Sequence, residues 1–153
     1  MKHLVFAATL LVASAGMADE PPFLAMAAQD DLAEAAIGRL AEAQGLSNRV
    51  REFGRMLVTD HDAHLNRVSE LAEARRIKLP EVLDPDQRAA YERLSLMQGA
   101  AFDEAFKARM IADRGKDIAR YRAQLGTGDG EVAALARETL PVLERQLAAA
   151  GKL

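Results

Sequence analysis

The sequence contains no cysteine, no tryptophan and only 5% aromatic residues. Without thiols the chain cannot form a disulfide framework, a Cys-ligated zinc site, a thiolate-bound iron–sulfur cluster or a cysteine nucleophile. The scarcity of aromatic side chains argues against a base-stacking platform for single-stranded nucleic acid. The 20 basic and 23 acidic residues give a formal net charge of -3. Since this charge provides no attraction for a polyanion, we expect no nucleic-acid partner.

The first 18 residues have the three-part pattern of a secretory signal peptide. A short positive start precedes an apolar run at residues 4–12, which small residues follow. This run is shorter than the ~20 residues that a membrane-spanning helix needs. Cleavage after Ala15 and cleavage after Ala18 both fit the pattern, and an uncleaved membrane anchor is the alternative. We predict a periplasmic protein with a cleavable signal peptide at 1–18, one domain at 19–153 and no transmembrane helix in the mature chain.

The remainder of the sequence is typical of an all-α protein. Ala, Leu, Glu, Arg and Met dominate it, and these residues favour helices. Gly45 is predicted to end the first helix, and Ser47 to cap a second one that runs to about residue 76. A short helix is expected from Asp84 to near Gly99. Two further helices are expected at about 100–125 and 131–150, the last of them kinked at Pro141.

Four of these helices are long and have an apolar seam with alternating spacings of three and four residues. Helices with such seams pack as a bundle. The long segment from residue 77 to residue 99 would let the second and third long helices run parallel, with the short helix in the crossover connection. On the third long helix the predicted seam consists of Ile111, Arg114, Ile118, Tyr121 and Leu125, and it is flanked by Phe102, Phe106 and Met110.

Polar residues interrupt these apolar seams, and they are the candidate functional residues of the chain. Glu34 lies on the seam of the first helix, and His61 and His64 lie together on one face of the second. Buried ionisable groups are costly unless they are paired or bind a metal ion. One hypothesis is therefore a metal site of Glu34, His61 and His64, with Asp31 as a further donor. Asp60, next to His61 in the sequence, is expected on a different helix face.

A structural role is the alternative for each of these residues. A single histidine on a seam is more often hydrogen-bonded than metal-bound, and Glu34 can be neutralised by pairing with Arg114. The other polar seam positions, Asp31, Arg114 and Gln146, are predicted to form a buried polar layer. The sequence requires no cofactor, and a divalent metal ion is the only candidate that its residues suggest.

Four segments resemble the bacterial domain-of-unknown-function family 4142. They are AEAAIGRLA at 33–41, FGRMLVTDH at 53–61, GAAFDEAF at 99–106 and TLP at 139–141. The similarity runs from about Phe23 to the C-terminus. It implies a ferritin-like four-helix bundle, here with a short extra helix in the crossover, that is exported to the periplasm. Some members are labelled outer-membrane or putative membrane proteins, without an established reaction.

The same resemblance implies an incomplete set of metal ligands. The family pattern places Glu at Glu34 and His at His61, but it also places His where this chain has Arg114 and Gln146. Arginine stays cationic and is not expected to ligate a metal ion. The chain also lacks the Glu-x-x-His motif of di-iron carboxylate bundles. We therefore expect no ferroxidase activity.

Three functions are compatible with the sequence. The first is a non-enzymatic periplasmic bundle acting in envelope stress or by binding an envelope protein. The second is a ferritin-like metal-binding protein that uses Glu34 and His61. The third is an interaction module that presents Ala-rich helix faces, such as residues 147–150.

Overall fold

The computed structural model describes residues 22–126 and 130–153, which form five α-helices and, within these ranges, no strand. The helices are α1 (Phe23–Gln44), α2 (Asn48–Ala74), α3 (Pro85–Ser95), α4 (Gly99–Gln124) and α5 (Gly130–Ala150). The predicted all-α class is confirmed, and four long helices with one short helix are compatible with a ferritin-like bundle. The predicted signal peptide lies outside the described residues.

Local sequence signals account for the helix starts. Ser47 accepts a hydrogen bond from the backbone N–H of Val50, at 3.2 Å, and so caps α2. Asp84 and Gln87 form a reciprocal capping box at the start of α3, with Pro85 in the first turn. The prediction that α3 extends to near Gly99 is wrong, because the helix ends at Ser95. Gly99, at φ +60°, instead begins α4.

The apolar core consists of two clusters, one toward each end of the bundle. Along α1 the first cluster (Leu24, Ala27, Ala28) comes before the second (Ile37, Leu40, Ala41). Along α2 and α4 the second cluster comes first, and along α5 the order of α1 returns. Therefore α2 and α4 run parallel to each other and antiparallel to α1 and α5. Between the two clusters lies a layer of polar side chains.

A pair of glycines brings α1 and α2 into close contact. A Cβ atom built on Gly54 would lie 2.6 Å from the carbonyl oxygen of Gly38. One built on Gly38 would lie 2.8 Å from the carbonyl oxygen of Gly54. Only glycine permits this close approach of the two backbones, and on the same pair of helices Asp31 of α1 contacts His61 and His64 of α2.

The buried face of α4 differs from the predicted seam. Ile111 and Leu125 are 39% and 41% exposed, so their assignment to the seam is wrong. The other three residues of the predicted seam are buried, as are the three that flank it, and Asp117 joins them. The buried residues of α4 are Phe102, Phe106, Met110, Arg114, Asp117, Ile118 and Tyr121. Helix α5 continues through Pro141, whose side chain is exposed. None of the helices in the described ranges has both the length and the apolarity of a membrane-spanning segment.

Candidate functional site

The polar layer contains all six residues that the seams single out. Asp31 and Glu34 come from α1, His61 and His64 from α2, Arg114 from α4 and Gln146 from α5. Five of them are buried, and the His64 side chain is 13% exposed. Because the four long helices each contribute at least one residue, the layer connects them all through polar contacts.

Asp31 connects the two histidines. Its Oδ1 lies 2.8 Å from Nδ1 of His61, and its Oδ2 lies 2.8 Å from Nδ1 of His64. A carboxylate only accepts hydrogen bonds, so both imidazoles carry a proton on Nδ1 and donate it to Asp31. On the other side of each ring, Nε2 faces a further polar side chain. Nε2 of His64 lies 3.2 Å from the Tyr121 hydroxyl, whose pKa burial raises well above its ordinary value, so that it remains a donor.

Arg114 lies at the centre of the layer and has no exposed surface. Its Nη1 donates to Nε2 of His61 at 3.1 Å and to Oε1 of Gln146 at 3.0 Å. Gln146 in turn donates from Nε2 to Oδ2 of Asp60, at 2.8 Å. The guanidinium therefore links α4 to α2 directly and to α5 through the Gln146 amide.

The predicted pairing of Glu34 with Arg114 is present. Oε2 of Glu34 lies 2.6 Å from Nη2 of Arg114, in an ion contact that is not aligned as a hydrogen bond. Burial disfavours the charged guanidinium, but the nearby carboxylates of Glu34, Asp117 and Asp113 outweigh it and raise the pKa of Arg114. The arginine thus stays cationic and neutralises part of the buried negative charge.

Asp117 belongs to the layer, although sequence reasoning missed it. Its Oδ2 lies 3.5 Å from Nη2 of Arg114, and its Oδ1 lies 3.8 Å from Nη1 of Arg120. Burial raises the pKa of Asp117 to about 7, since it outweighs the attraction of Arg114, and Asp30 and Glu34 add to the rise. Asp117 follows Arg114 by three residues on one helix, so the two side chains share a helix face, and this spacing could have predicted the contact.

Asp60 is a second residue whose placement the sequence did not predict. Asp60 accepts the hydrogen bond from Gln146. It also lines a cavity of about 30 Å³ together with Asp31, His61 and His64. Asp60 and His61, which were predicted on different faces of α2, therefore both line this cavity. A cavity of this size has room for about one water molecule, for which the surrounding carboxylates and imidazoles are polar partners.

The residues present do not fit a metal ion between Glu34 and His61. The Nε2 lone pair of His61 accepts a hydrogen bond from Arg114. The Glu34 carboxylate contacts the same guanidinium. A metal ion placed there would have to displace a buried cation. Across residues 22–126 and 130–153, no group of three or more His, Asp or Glu side chains is arranged to hold a metal ion.

Comparison with known proteins identifies the family. The chain belongs to the family described as "Domain of unknown function (DUF4142)", whose model matches residues 7–153. The family membership predicted from the sequence is thereby confirmed. Neither a curated protein nor a solved structure matches the chain.

Proposed function

We propose that this chain is a non-enzymatic helical-bundle protein, exported to the periplasm through the signal peptide at residues 1–18, which acts by binding a partner of the cell envelope. In this proposal the buried polar layer has a structural role. It fixes how the four long helices pack together, and the function lies on the surface of the bundle.

The position of Arg114 carries this proposal. Its fully buried guanidinium contacts Glu34 at 2.6 Å and His61 at 3.1 Å, and these are the two residues best suited to bind a metal ion. A permanent cation therefore supplies the positive charge that a metal ion would otherwise bring. Arginine has no lone pair available at neutral pH to transfer protons or bind an ion, so in this proposal the Arg114 side chain has a structural role.

Metal analysis of untagged mature protein, purified from periplasm, tests the proposal. We expect substoichiometric iron, manganese, zinc and copper, and no change in melting temperature when each is added in excess. A metal that binds only the native state must raise the melting temperature by mass action. Stoichiometric metal, or ferrous-iron oxidation that is lost in His61→Ala, would overturn the proposal.

The double variant Arg114→His, Gln146→His is a positive control for this experiment. It replaces the cation with imidazole and leaves Glu34, His61 and two added histidines around one point, which matches the donors that zinc prefers. We expect the variant to bind zinc and to gain thermal stability with it. This result would show that the assay detects binding in this bundle and that Arg114 prevents it in the natural protein.

Metal binding by the natural chain at Glu34, His61 and His64 is the competing proposal. The convergence of Asp31 with both histidines, each at 2.8 Å, favours it. It requires Arg114 to move away from His61 and Glu34. A crystal structure of the protein soaked with zinc would then show Arg114 displaced, whereas our proposal requires Arg114 to keep its contacts.

Export is tested separately from the biochemical role. Fractionation of cells expressing the full-length chain should place the protein in the periplasm. Mass spectrometry should find an N-terminus at residue 16 or 19, after cleavage at one of the two candidate sites. Cytoplasmic protein that begins at Met1 would contradict the export proposal without bearing on the polar layer.

A further inference from the structure

A groove of about 860 Å³ lies between α2 and the C-terminal end of α5. It is lined by neither the histidines nor Arg114 and is therefore distinct from the polar layer. Its volume lies within the ~300–1,000 Å³ that is typical of small-molecule sites. Two residues of the Ala-rich segment 147–150, Ala148 and Ala149, line it.

The floor of the groove is apolar. Phe53 and Met56 of α2 face Ala148 and Ala149 of α5 across it. The two small alanine side chains leave space that larger residues would fill, and the flexible thioether of Met56 can adapt to a bound chain. The floor therefore suits a slender apolar ligand.

The rim of the groove is mainly cationic. Arg49, Arg145 and Lys152 line it together with Glu52 and the last residue of the given sequence, Leu153. Arg49 donates to the backbone carbonyl of Lys152, at 3.4 Å. The side chains of Arg145 and Lys152 make no ion pair or hydrogen bond among the residues that the structure describes, although the protein as a whole is acidic.

We propose that this groove binds a single-chain amphiphile with a carboxylate head, a free fatty acid. The apolar floor would hold the acyl chain, and Arg145 and Lys152 would hold the carboxylate. An extended peptide fits less well, because the backbone groups of α2 along this wall are already hydrogen-bonded within the helix. An acyl chain has no polar backbone groups to satisfy on such a floor.

Titration of the folded protein with decanoate tests this inference. With ¹³C-labelled methyl groups, NMR should show saturable shifts at Met56, Ala148 and Ala149. Dodecanoate should bind more tightly than decanoate and hexanoate more weakly, since affinity must rise with buried chain length. Decanol, which has the same chain length without the charge, should bind more weakly than decanoate. All ligands are kept below the concentrations at which they form micelles.

Two variants of matched chemistry locate the head group. Arg145→Gln removes a rim cation and should raise the Kd for decanoate about threefold, the effect of one exposed charge contact. Arg137→Gln changes an exposed arginine of the same helix outside the groove and should leave the Kd unchanged. Ala148→Phe, which fills the groove, should abolish the saturable shifts while circular dichroism remains that of the folded protein.

Three results would overturn the inference. They are the absence of saturable shifts, equal affinity for decanoate and decanol, and equal effects of the Arg145 and Arg137 substitutions. Saturable binding of an acidic peptide without any response to decanoate would likewise assign the groove to a peptide partner and contradict the fatty-acid site. None of these outcomes depends on whether the polar layer binds a metal ion.

Discussion

Nη1 of Arg114 lies 3.1 Å from Nε2 of His61, so that a permanent cation contacts the nitrogen through which this histidine would bind a metal ion. The contact also determines the imidazole tautomer, because guanidinium groups only donate hydrogen bonds. The proton of His61 is then on Nδ1, where it is donated to Asp31 at 2.8 Å. One arginine thus links the helices, orients a histidine and neutralises a carboxylate.

The tautomers of the two histidines give the first prediction. Long-range ¹H–¹⁵N spectra of the native protein should show both His61 and His64 with the proton on Nδ1, because both donate to Asp31. Asp31→Asn replaces one carboxylate oxygen with an amide donor, so one of the two imidazoles loses its acceptor and its spectrum should change. An Nε2–H tautomer of His61 in the natural protein would contradict the contact with Arg114.

Arg114→Met tests the buried ion pair. The substitution leaves the carboxylate of Glu34 buried without its cation, and we expect the free energy of unfolding to fall by roughly 3–5 kcal/mol in urea denaturation at pH 7. Arg122→Met is the matched control, because Arg122 pairs with Glu144 at the surface, where both side chains are at least half exposed. In this control the free energy of unfolding should fall by no more than about 1 kcal/mol. Equal stability of the natural protein and Arg114→Met would contradict the buried pair.

The raised pKa of Asp117 predicts a dependence of stability on pH. Between its ordinary value of 3.8 and about 7, the native state holds a proton on Asp117 that the unfolded chain has already lost. Because the native state binds more protons in this window, the contribution of Asp117 to the free energy of unfolding falls as pH rises, by about 1.4 kcal/mol per pH unit at most. Above about pH 7 this contribution levels off.

Asp117→Asn isolates this effect. Asparagine has nearly the same shape but does not ionise, so the difference in stability between the variant and the natural protein should shift in favour of the variant from pH 4 to pH 7. Urea denaturation at intervals across this range measures the difference, and contributions from all other groups cancel to a first approximation. A difference that is constant with pH would mean that the pKa of Asp117 is not raised.

Gly54→Ala tests the contact between α1 and α2. The added methyl group would lie 2.6 Å from the carbonyl oxygen of Gly38 and 2.8 Å from the backbone nitrogen of Glu42, so the helices must separate. We expect a loss of about 1–3 kcal/mol or more in the free energy of unfolding.

Gly115→Ala is the matched control for the Gly54 substitution. Gly115 lies in the middle of α4, and a Cβ atom there would have no atom within 4 Å. Alanine should therefore stabilise the protein by roughly 0.5–1 kcal/mol through its higher helix propensity. If Gly54→Ala lowers the free energy of unfolding and Gly115→Ala raises it, the effect at Gly54 comes from the helix contact and not from helix propensity. A stabilising Gly54→Ala would contradict the close approach of the helices.

Much of the fold was predictable because its signals are local. Capping by Ser47 and Asp84, and the break at Gly45, concern residues a few positions apart. The seam periodicity also placed Asp31, Glu34, His61, Arg114 and Gln146 on inward faces. Two predictions were wrong, namely the ends of the buried seam on α4 and the residue at which α3 ends. The seam predicted on α4 was wrong at its two ends, Ile111 and Leu125, and it omitted Asp117.

The sequence by itself determined that the chain is helical, that its long helices are amphipathic, and which polar side chains interrupt their inner faces. Backbone propensity and residue spacing act within one helix, so they can be read from one segment. Only the tertiary structure decided that Arg114, besides its predicted pairing with Glu34, contacts His61. It also decided that Gln146 donates a hydrogen bond to Asp60, and that α2 and α5 leave a groove with a cationic rim. These relationships depend on the rotation and spacing of helices from distant parts of the sequence, which packing of all side chains together determines.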